Sequence, residues 1–365
     1  MRSRRSVLLA ALALAPTLAG CGKSGNGGPG ERTRLDGQGA TFVEPIMKVW
    51  TNEYGELTDG DVQINYQGTG SGAGVSQMTK GLAAFGCSDA PMNRKQLDEA
   101  TATAGPVVHV PLVIGAVVPV YNLPGVESPL VFTGPLLAEV FTGKVAKWND
   151  PRIAALNPGV NLPDLGIQPV YRADPSGTSF IFSDYLAKVS PEFKASVGSS
   201  TAPSWPSGVG TAQNKSDGVA GHITRNPGAI GYLELTYALD SKDKLKYGKV
   251  RNKAGKDVLA DLDSITAAAA ATLGAPQSAE PYSLHDLTYN LTDAGGDASY
   301  PIAGMSFALL YQKQQGGKGK AAVAFLKWCT GPDGQKLAKL RNYAPLPEEL
   351  RKKTHEKLDK VEVGS

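Results

Sequence analysis

The sequence predicts an α/β protein long enough for two domains, and three observations carry that prediction. Short apolar strands alternate with helical stretches along the chain, the pattern of mostly parallel strands covered by helices on both faces. From Arg34 onward about 330 residues remain, enough for two domains of about 150 residues each. One β-branched run, Val107–Tyr121, is long for a single strand, and Pro111 and Gly115 break it in the middle. A long kinked strand suits a chain that passes from one lobe to another.

The first residues read as an export signal. Arg2, Arg4 and Arg5 form a basic start, Val7 to Ala19 is a short apolar core, and Leu18-Ala19-Gly20-Cys21 closes it. The apolar run is too short to span a bilayer, which takes about 20 residues. Its ending resembles the lipobox of bacterial lipoproteins. That resemblance implies cleavage before Cys21 and a diacylglycerol thioether on its sulfur. Ser3-Arg4-Arg5-Ser6-Val7-Leu8 also resembles a twin-arginine signal, a weaker pattern. Residues 1–20 are therefore expected to be a signal peptide. Residues 21–33, rich in Gly, cannot bury apolar surface and read as a flexible tether. The protein is expected in the periplasm or at the cell surface, attached to a membrane only through its lipid.

The formal charge of +3 comes with no basic block, so nucleic acid is not an expected partner. Of three cysteines, one is Cys21. Cys87 and Cys329 remain as an even pair in an oxidising compartment, where a disulfide is allowed and two buried thiols are the other reading.

Along the chain, Val62–Tyr66 alternates like a strand and runs into the glycine-rich stretch Gly68–Gly74, with a helix to follow from about Val75 to Leu82. Ala83–Cys87 is a short strand ending at Ser88-Asp89. Helical patterns cover Pro135–Phe141, Ser179–Val189, Ser216–Thr224 and Lys318–Cys329, and the alanine run Ala267–Ala271 suits another helix.

Three segments place Gly and small polar residues at strand-to-helix junctions, where unpaired N–H groups and a partial positive charge bind anions. The first is Gly37–Pro45, with Thr41 as a candidate N-cap of the helix through Met47 and Trp50. The second is Gly68–Gly74, with Ser71 at its centre. The third, Arg172–Ser179, follows the strand Ile167–Tyr171 and opens the helix from Phe180. There Ser176 and Thr178 offer hydroxyls, Gly177 a bare N–H, and Arg172 a two-point guanidinium. Any one of these loops is also ordinary helix capping; three together with an arginine point to an anion. Gly68-x-Gly70-x-x-Ala73 fits a dinucleotide fingerprint as well, with Asp89 near the ribose-binding spacing, but it leaves the third segment unexplained.

Catalytic and metal signatures are missing from the sequence. His109, His222, His285 and His355 show no metal-ligand spacing and read as core or surface residues. No serine sits in a G-x-S-x-G elbow. Anion donors without a nucleophile or a general base describe a binder, with no metal and no cofactor.

The stretches GQGATFVEPI, INYQGTGSGAG, AAFGCSDAPM, KWNDPRIAALNPGVNLP, YRADPSGTSFIFSDYLAKV, NPGAIGYLEL and YPIAGMSFAL resemble the periplasmic phosphate-binding proteins of bacterial phosphate ABC transporters. They occur in family order from about Gly37 to Pro347. The resemblance implies the two-lobed periplasmic binding protein fold of type II, with inorganic phosphate buried between the lobes and delivered to the permease subunits of an importer. It also implies a monomer. Lobe one is expected over 34–112 and 257–365, and lobe two over 113–256. By motif, Thr41, the Phe42 backbone, Ser71 and Asp89 come from lobe one, and Arg172, Ser176, Gly177 and Thr178 from lobe two. Asp174 matches the acid that pairs with the arginine. Asp89 is expected to separate phosphate, which carries a proton to donate, from sulfate, which carries none. Pro175 departs from a glycine common at its position, Cys87 replaces a smaller residue, and the tail after Pro347 matches poorly. A receptor for another oxyanion, or a phosphate-handling enzyme or sensor on the same fold, is the alternative.

Overall fold

The computed structural model describes residues 32–241, 244–273, 281–283 and 285–364; the expected signal peptide, nearly all of the tether and Cys21 lie outside them. The described strands are β1 Thr33–Gly39, β2 Val62–Gly68, β3 Phe85–Ser88, β4 Val107–Tyr121, β5 Val131–Phe132, β6 Gln168–Arg172, β7 Thr211–Gln213, β8 Ala229–Glu234, β9 Lys246–Tyr247, β10 Lys249–Arg251, β11 Asp257–Val258, β12 Ala303–Tyr311, β13 Lys313–Gln315 and β14 Glu362–Gly364.

The main sheet runs β2-β1-β3-β12-β4-β8-β6-β7, with β9 also on β4. It is mixed rather than mostly parallel. β1 pairs in parallel with β2 and β3, and β6 with β7 and β8. β12 runs antiparallel to β3 and β4, and β4 antiparallel to β8 and β9. For β12 the reason is connectivity: it returns late in the chain to fill the slot between β3 and β4, and a returning strand need not follow the parallel direction of strand–helix–strand units. Small sheets β11-β10-β5 and β13-β14 flank it.

β4 is common to both halves of this sheet. It pairs with β12 up to Ala116 and with β8 from Val117 onward. Pro111 does not end the strand, which runs unbroken from Val107 to Tyr121. Instead the register with β12 shifts between Ser306 and Phe307, opposite Pro111 and Val113, because proline has no N–H for the ladder. The carbonyl of Leu112, skipped by the shift, accepts from Gln335 Nε2 at 3.0 Å. Gly115 gives room: a Cβ there would lie 2.7 Å from the Phe42 ring.

The two halves hold separate aromatic groups. Tyr54, Phe85 and Phe325 pack on one side, with ring centroids of Tyr54 and Phe325 5.2 Å apart. Phe141, Phe182 and Tyr232 pack on the other, Phe182 and Tyr232 stacked at 4.4 Å. Helices run close to the sequence expectation at Gly134–Phe141, Gly177–Val189, Lys215–Arg225, Leu262–Leu273 and Gly316–Cys329. The helix after β2 begins earlier than expected and covers Ser71–Thr79. Thr41 is not an N-cap: the first helix is Glu44–Leu57 and Val43 precedes it. Cys87 and Cys329 are two buried free thiols, not a bridge.

Candidate functional site

Strand ends and helix starts from both halves of the sheet converge on one buried point. β1 ends at Gly39 and the chain turns through Thr41 and Phe42 before the helix Glu44–Leu57. Thr41 and Phe42 are buried, the Thr41 carbonyl accepts from the Tyr237 phenol at 2.8 Å, and the Phe42 carbonyl from Tyr343 at 2.6 Å. β2 ends at Gly68, and Gly70, with φ of +97°, turns the chain so that Ser71 opens the next helix. A side chain at Gly70 is excluded twice, by that backbone and by Asp174 Oδ2, which a Cβ would approach to 2.4 Å. Asp89 follows β3 directly.

The third segment meets the second. Gly72 N–H donates to the Pro175 carbonyl at 3.0 Å. Ser176 caps the helix Gly177–Val189, its Oγ accepting from Ser179 N–H at 3.3 Å, while its own N–H donates to the Thr201 carbonyl at 2.8 Å. Its hydroxyl proton stays available, whereas its N–H is committed. Gly177 sits so close to the other segments that a Cβ would lie 2.4 Å from Asp89 Oδ2 and 2.5 Å from Ser71 Oγ. The Thr178 hydroxyl, one residue on from Gly177, is buried without a partner among the described residues, an unsatisfied donor.

Arg172, at the end of β6, is fully buried along its side chain. Asp174 grips it from one side, accepting from Nε at 2.8 Å and from Nη2. Nη1 reaches Thr41 Oγ1 at 3.1 Å and Ser216 Oγ at 3.4 Å, and those two hydroxyls lie 2.7 Å apart. Asp174 also accepts from the Lys215 N–H at 2.8 Å. Burial works against ionising Asp174, but the hydrogen bonds and charge of Arg172 and the Lys215 N–H outweigh it and hold the carboxyl below the ordinary range.

Asp89 is the anomaly of the site, a buried carboxylate among anion donors. Ser306 donates to its Oδ1 at 2.7 Å and Ser71 to its Oδ2 at 3.2 Å. Burial pushes its pKa up to about 7, against the pull of Ser306, Ser71 and the Arg172 charge.

All eight residues expected from motif are thus buried around this junction, and Asp174 pairs with Arg172 as expected. Two more hydroxyls belong to it. Ser216 was legible only as the start of a helical pattern; Lys215, with φ of +61°, turns that helix toward Arg172. Ser306 carried no signal beyond being polar within the apolar run of β12. The histidines serve elsewhere: His109 Nε2 accepts from Met92 N–H at 3.0 Å, and His355 meets Thr330 at 3.1 Å. Among the described residues no three His, Cys, Asp or Glu side chains group as metal ligands.

An α/β scaffold that gathers hydroxyls, helix N-termini and one arginine at its strand ends is the architecture of a solute receptor, and the sequence profile of the PBP superfamily domain matches residues 24–333. The phosphate-binding protein PstS of Xylella fastidiosa (strain Temecula1) is 40% identical over 321 residues, covering 87% of this chain and 83% of its own. That of Pasteurella multocida is 38% identical over 321 residues, covering 87% and 88%. A solved structure, the phosphate-binding protein from Stenotrophomonas maltophilia, shares the fold with a TM-score of 0.64 at 18% identity over 89% of this chain and 93% of that one. The chain belongs to the PstS family of phosphate-binding proteins within the PBP superfamily.

Proposed function

We propose that this protein captures inorganic phosphate outside the cytoplasmic membrane and delivers it to the permease of an ABC-type importer. One observation carries the choice of ligand: a buried carboxylate, Asp89, set among anion donors. Like charges repel and burial of a charge is unfavourable, so Asp89 makes sense only against an anion that still carries a proton. Phosphate carries at least one at neutral pH and sulfate none. Thr41, the Phe42 N–H, Ser71, Arg172, Ser176, the Gly177 N–H and Thr178 complete the donor set, with Ser216 added through its place between Thr41 and Arg172. Hydroxyls and N–H groups without a histidine beside them suit capture rather than catalysis. The shared strand β4 supports a hinge between lobes, with β12 and β8 taking its two ends.

Calorimetric titration of phosphate, sulfate and arsenate into the mature chain tests the assignment. Tight phosphate and arsenate binding with no detectable sulfate binding is expected; sulfate bound as well as phosphate, or phosphate turnover instead of stable binding, overturns it. Arg172→Lys loses the planar fork that faces both Asp174 and the ligand. Its phosphate Kd should rise about 10- to 100-fold, the range of one or two charge-assisted hydrogen bonds, and an unchanged Kd removes Arg172 from the site.

Delivery fits a membrane-tethered receptor. Among the described residues no helix is long and apolar enough to cross a membrane, and the lipobox-like ending at Cys21 supports attachment through a lipid there. Cys21→Ser should leave the chain unprocessed or in the aqueous phase of a detergent partition; partition like wild type contradicts lipidation.

A further inference from the structure

We propose that Ser306 is a specificity-positioning residue of this site: its hydroxyl holds Oδ1 of Asp89, so that the carboxylate meets the ligand through Oδ2 as an acceptor. The inference rests on the phosphate assignment above.

The backbone aims Ser306 at Asp89. β12 lies between β3 and β4, with Phe307 opposite Ser88 and Ser306 opposite Val113. The register shift caused by Pro111 falls between Ser306 and Phe307, and such irregularities redirect a side chain. Ser306 is fully buried in a strand whose other residues are apolar or glycine until its last, Tyr311. A hydroxyl there is unfavourable unless paired, and its partner is Asp89 Oδ1 at 2.7 Å.

Counting protons separates the two carboxylate oxygens. Ser306 has one O–H and gives it to Oδ1. Ser71 accepts from the Asp89 N–H at 3.2 Å and gives its proton to Oδ2 at 3.2 Å, a longer contact. Oδ2 is also the oxygen against Gly177, where the helix N-terminus opens. An arriving phosphate oxygen can take the Ser71 proton, which leaves Oδ2 open to accept the proton that phosphate carries. Ser306, on the far oxygen, does not turn to the ligand and favours the ionised Asp89, which accepts through Oδ2. Without it Oδ1 loses its donor in a buried place and the neutral acid gains. Asp89 then brings its own proton, which opposes phosphate's O–H and suits sulfate.

The other groups facing Asp89 do not replace Ser306. Among the described residues Arg172, from the end of β6, is the cation that acts on Asp89, and its Nε and Nη2 are held by Asp174. The Cys87 thiol on β3 and the Tyr66 phenol on β2 are both pushed up by burial and stay neutral near pH 7. Burial already lifts Asp89 to about 7 with Ser306 in place, so a lost donor falls where it changes the charge at working pH.

The test measures phosphate and sulfate Kd from roughly pH 5.5 to pH 9 for wild type, Ser306→Ala and Ser306→Cys, the last keeping the volume but weakening the donor. Comparison with wild type cancels the titration of phosphate itself. In both variants the acid limb of phosphate affinity should move up by about one pH unit. Phosphate affinity should fall about fivefold near pH 7 and recover toward pH 9, and the gap to sulfate should narrow. A uniform loss at every pH with the phosphate-to-sulfate ratio unchanged, or a shift in Ala but not in Cys, shows a packing role and overturns the inference. Wild type that binds no phosphate overturns the phosphate assignment and this inference with it; wild-type binding with an unmoved profile in both variants overturns the inference alone.

Discussion

Gly177→Ala should leave a folded protein whose phosphate affinity has dropped by a factor of about 100 or more. The new Cβ would stand 2.4 Å from Asp89 Oδ2, 2.5 Å from Asp89 Cβ and 2.5 Å from Ser71 Oγ. No real contact is that short, so the helix start at Gly177 and the pair Asp89–Ser71 must separate. These groups come from the two halves proposed as lobes, so a small opening at β4 relieves the clash without unpacking either aromatic group. Opening then denies the ligand Asp89 and Ser71 on one side while Arg172 and Thr178 stay on the other. Losing two or more hydrogen bonds to an anion, at roughly 1.5–3 kcal/mol each, corresponds to at least about a hundredfold. Calorimetry reads the affinity and thermal unfolding without ligand reads the fold. Wild-type Kd in a variant with wild-type unfolding would mean that Gly177 does not lie where phosphate closes the site.

The second large effect is on stability, and its source is Glu234. This last residue of β8 is fully buried beside the point where β4 changes partner, Glu234 standing opposite Val117. Its carboxyl meets the Thr236 N–H at 3.0 Å, the Thr236 hydroxyl at 3.2 Å and the Tyr343 phenol at 3.0 Å. Each of those hydroxyls also faces a carbonyl: Tyr343 lies 2.6 Å from Phe42 O, and Thr236 3.0 Å from Arg341 O. One proton per hydroxyl cannot serve both a carbonyl and a carboxylate. A neutral Glu234 adds the proton that the ring lacks. Burial pushes it up to about 8, against those hydrogen bonds, with the Asp240 charge adding to the rise.

The folded chain therefore keeps a proton at Glu234 that the unfolded chain gives up at the ordinary value of 4.5. Over that interval the folded state binds more protons, so stability falls as pH rises. The contribution of the neutral acid is whole below about 4.5, declines by up to ~1.4 kcal/mol per pH unit, and is lost once pH passes about 8. Glu234→Gln keeps the shape and the neutral state, so its unfolding free energy should decline less with pH and exceed wild type on the alkaline side by on the order of a few kcal/mol. Difference curves between variant and wild type isolate this group from all others. Parallel curves would show that Glu234 does not hold a proton in the fold.

Much of the site was open to sequence reading because its chemistry is local. Ser71 and Ser176–Thr178 stand at helix starts, where the chain itself exposes N–H groups, and Arg172-Ala173-Asp174 places a guanidinium and its carboxylate partner two residues apart. The strand–helix alternation likewise follows from local periodicity, and with it the α/β class and most helix positions, while the binding protein fold was implied by the resemblance of whole motifs. What the chain could not announce depends on residues far apart. Ser216 meets Thr41 across 175 positions and Ser306 meets Asp89 across 217. No period or spacing encodes such a pair. The directions of β12 and of β8 against β4 made the sheet mixed, because each strand takes the slot that packing leaves open. The N-cap assigned to Thr41 failed for a related reason: its hydroxyl is drawn to Arg172 and Ser216, partners that exist only in the folded state. By itself, then, the sequence determined the α/β class and the small-residue loops at strand ends, and through the family resemblance the acid–arginine pair, all written within a few residues. The tertiary structure alone decided strand direction, the two added serines and the buried acid at β8, because hydrogen-bond partners for buried polar groups are supplied by whichever distant segment the core brings beside them.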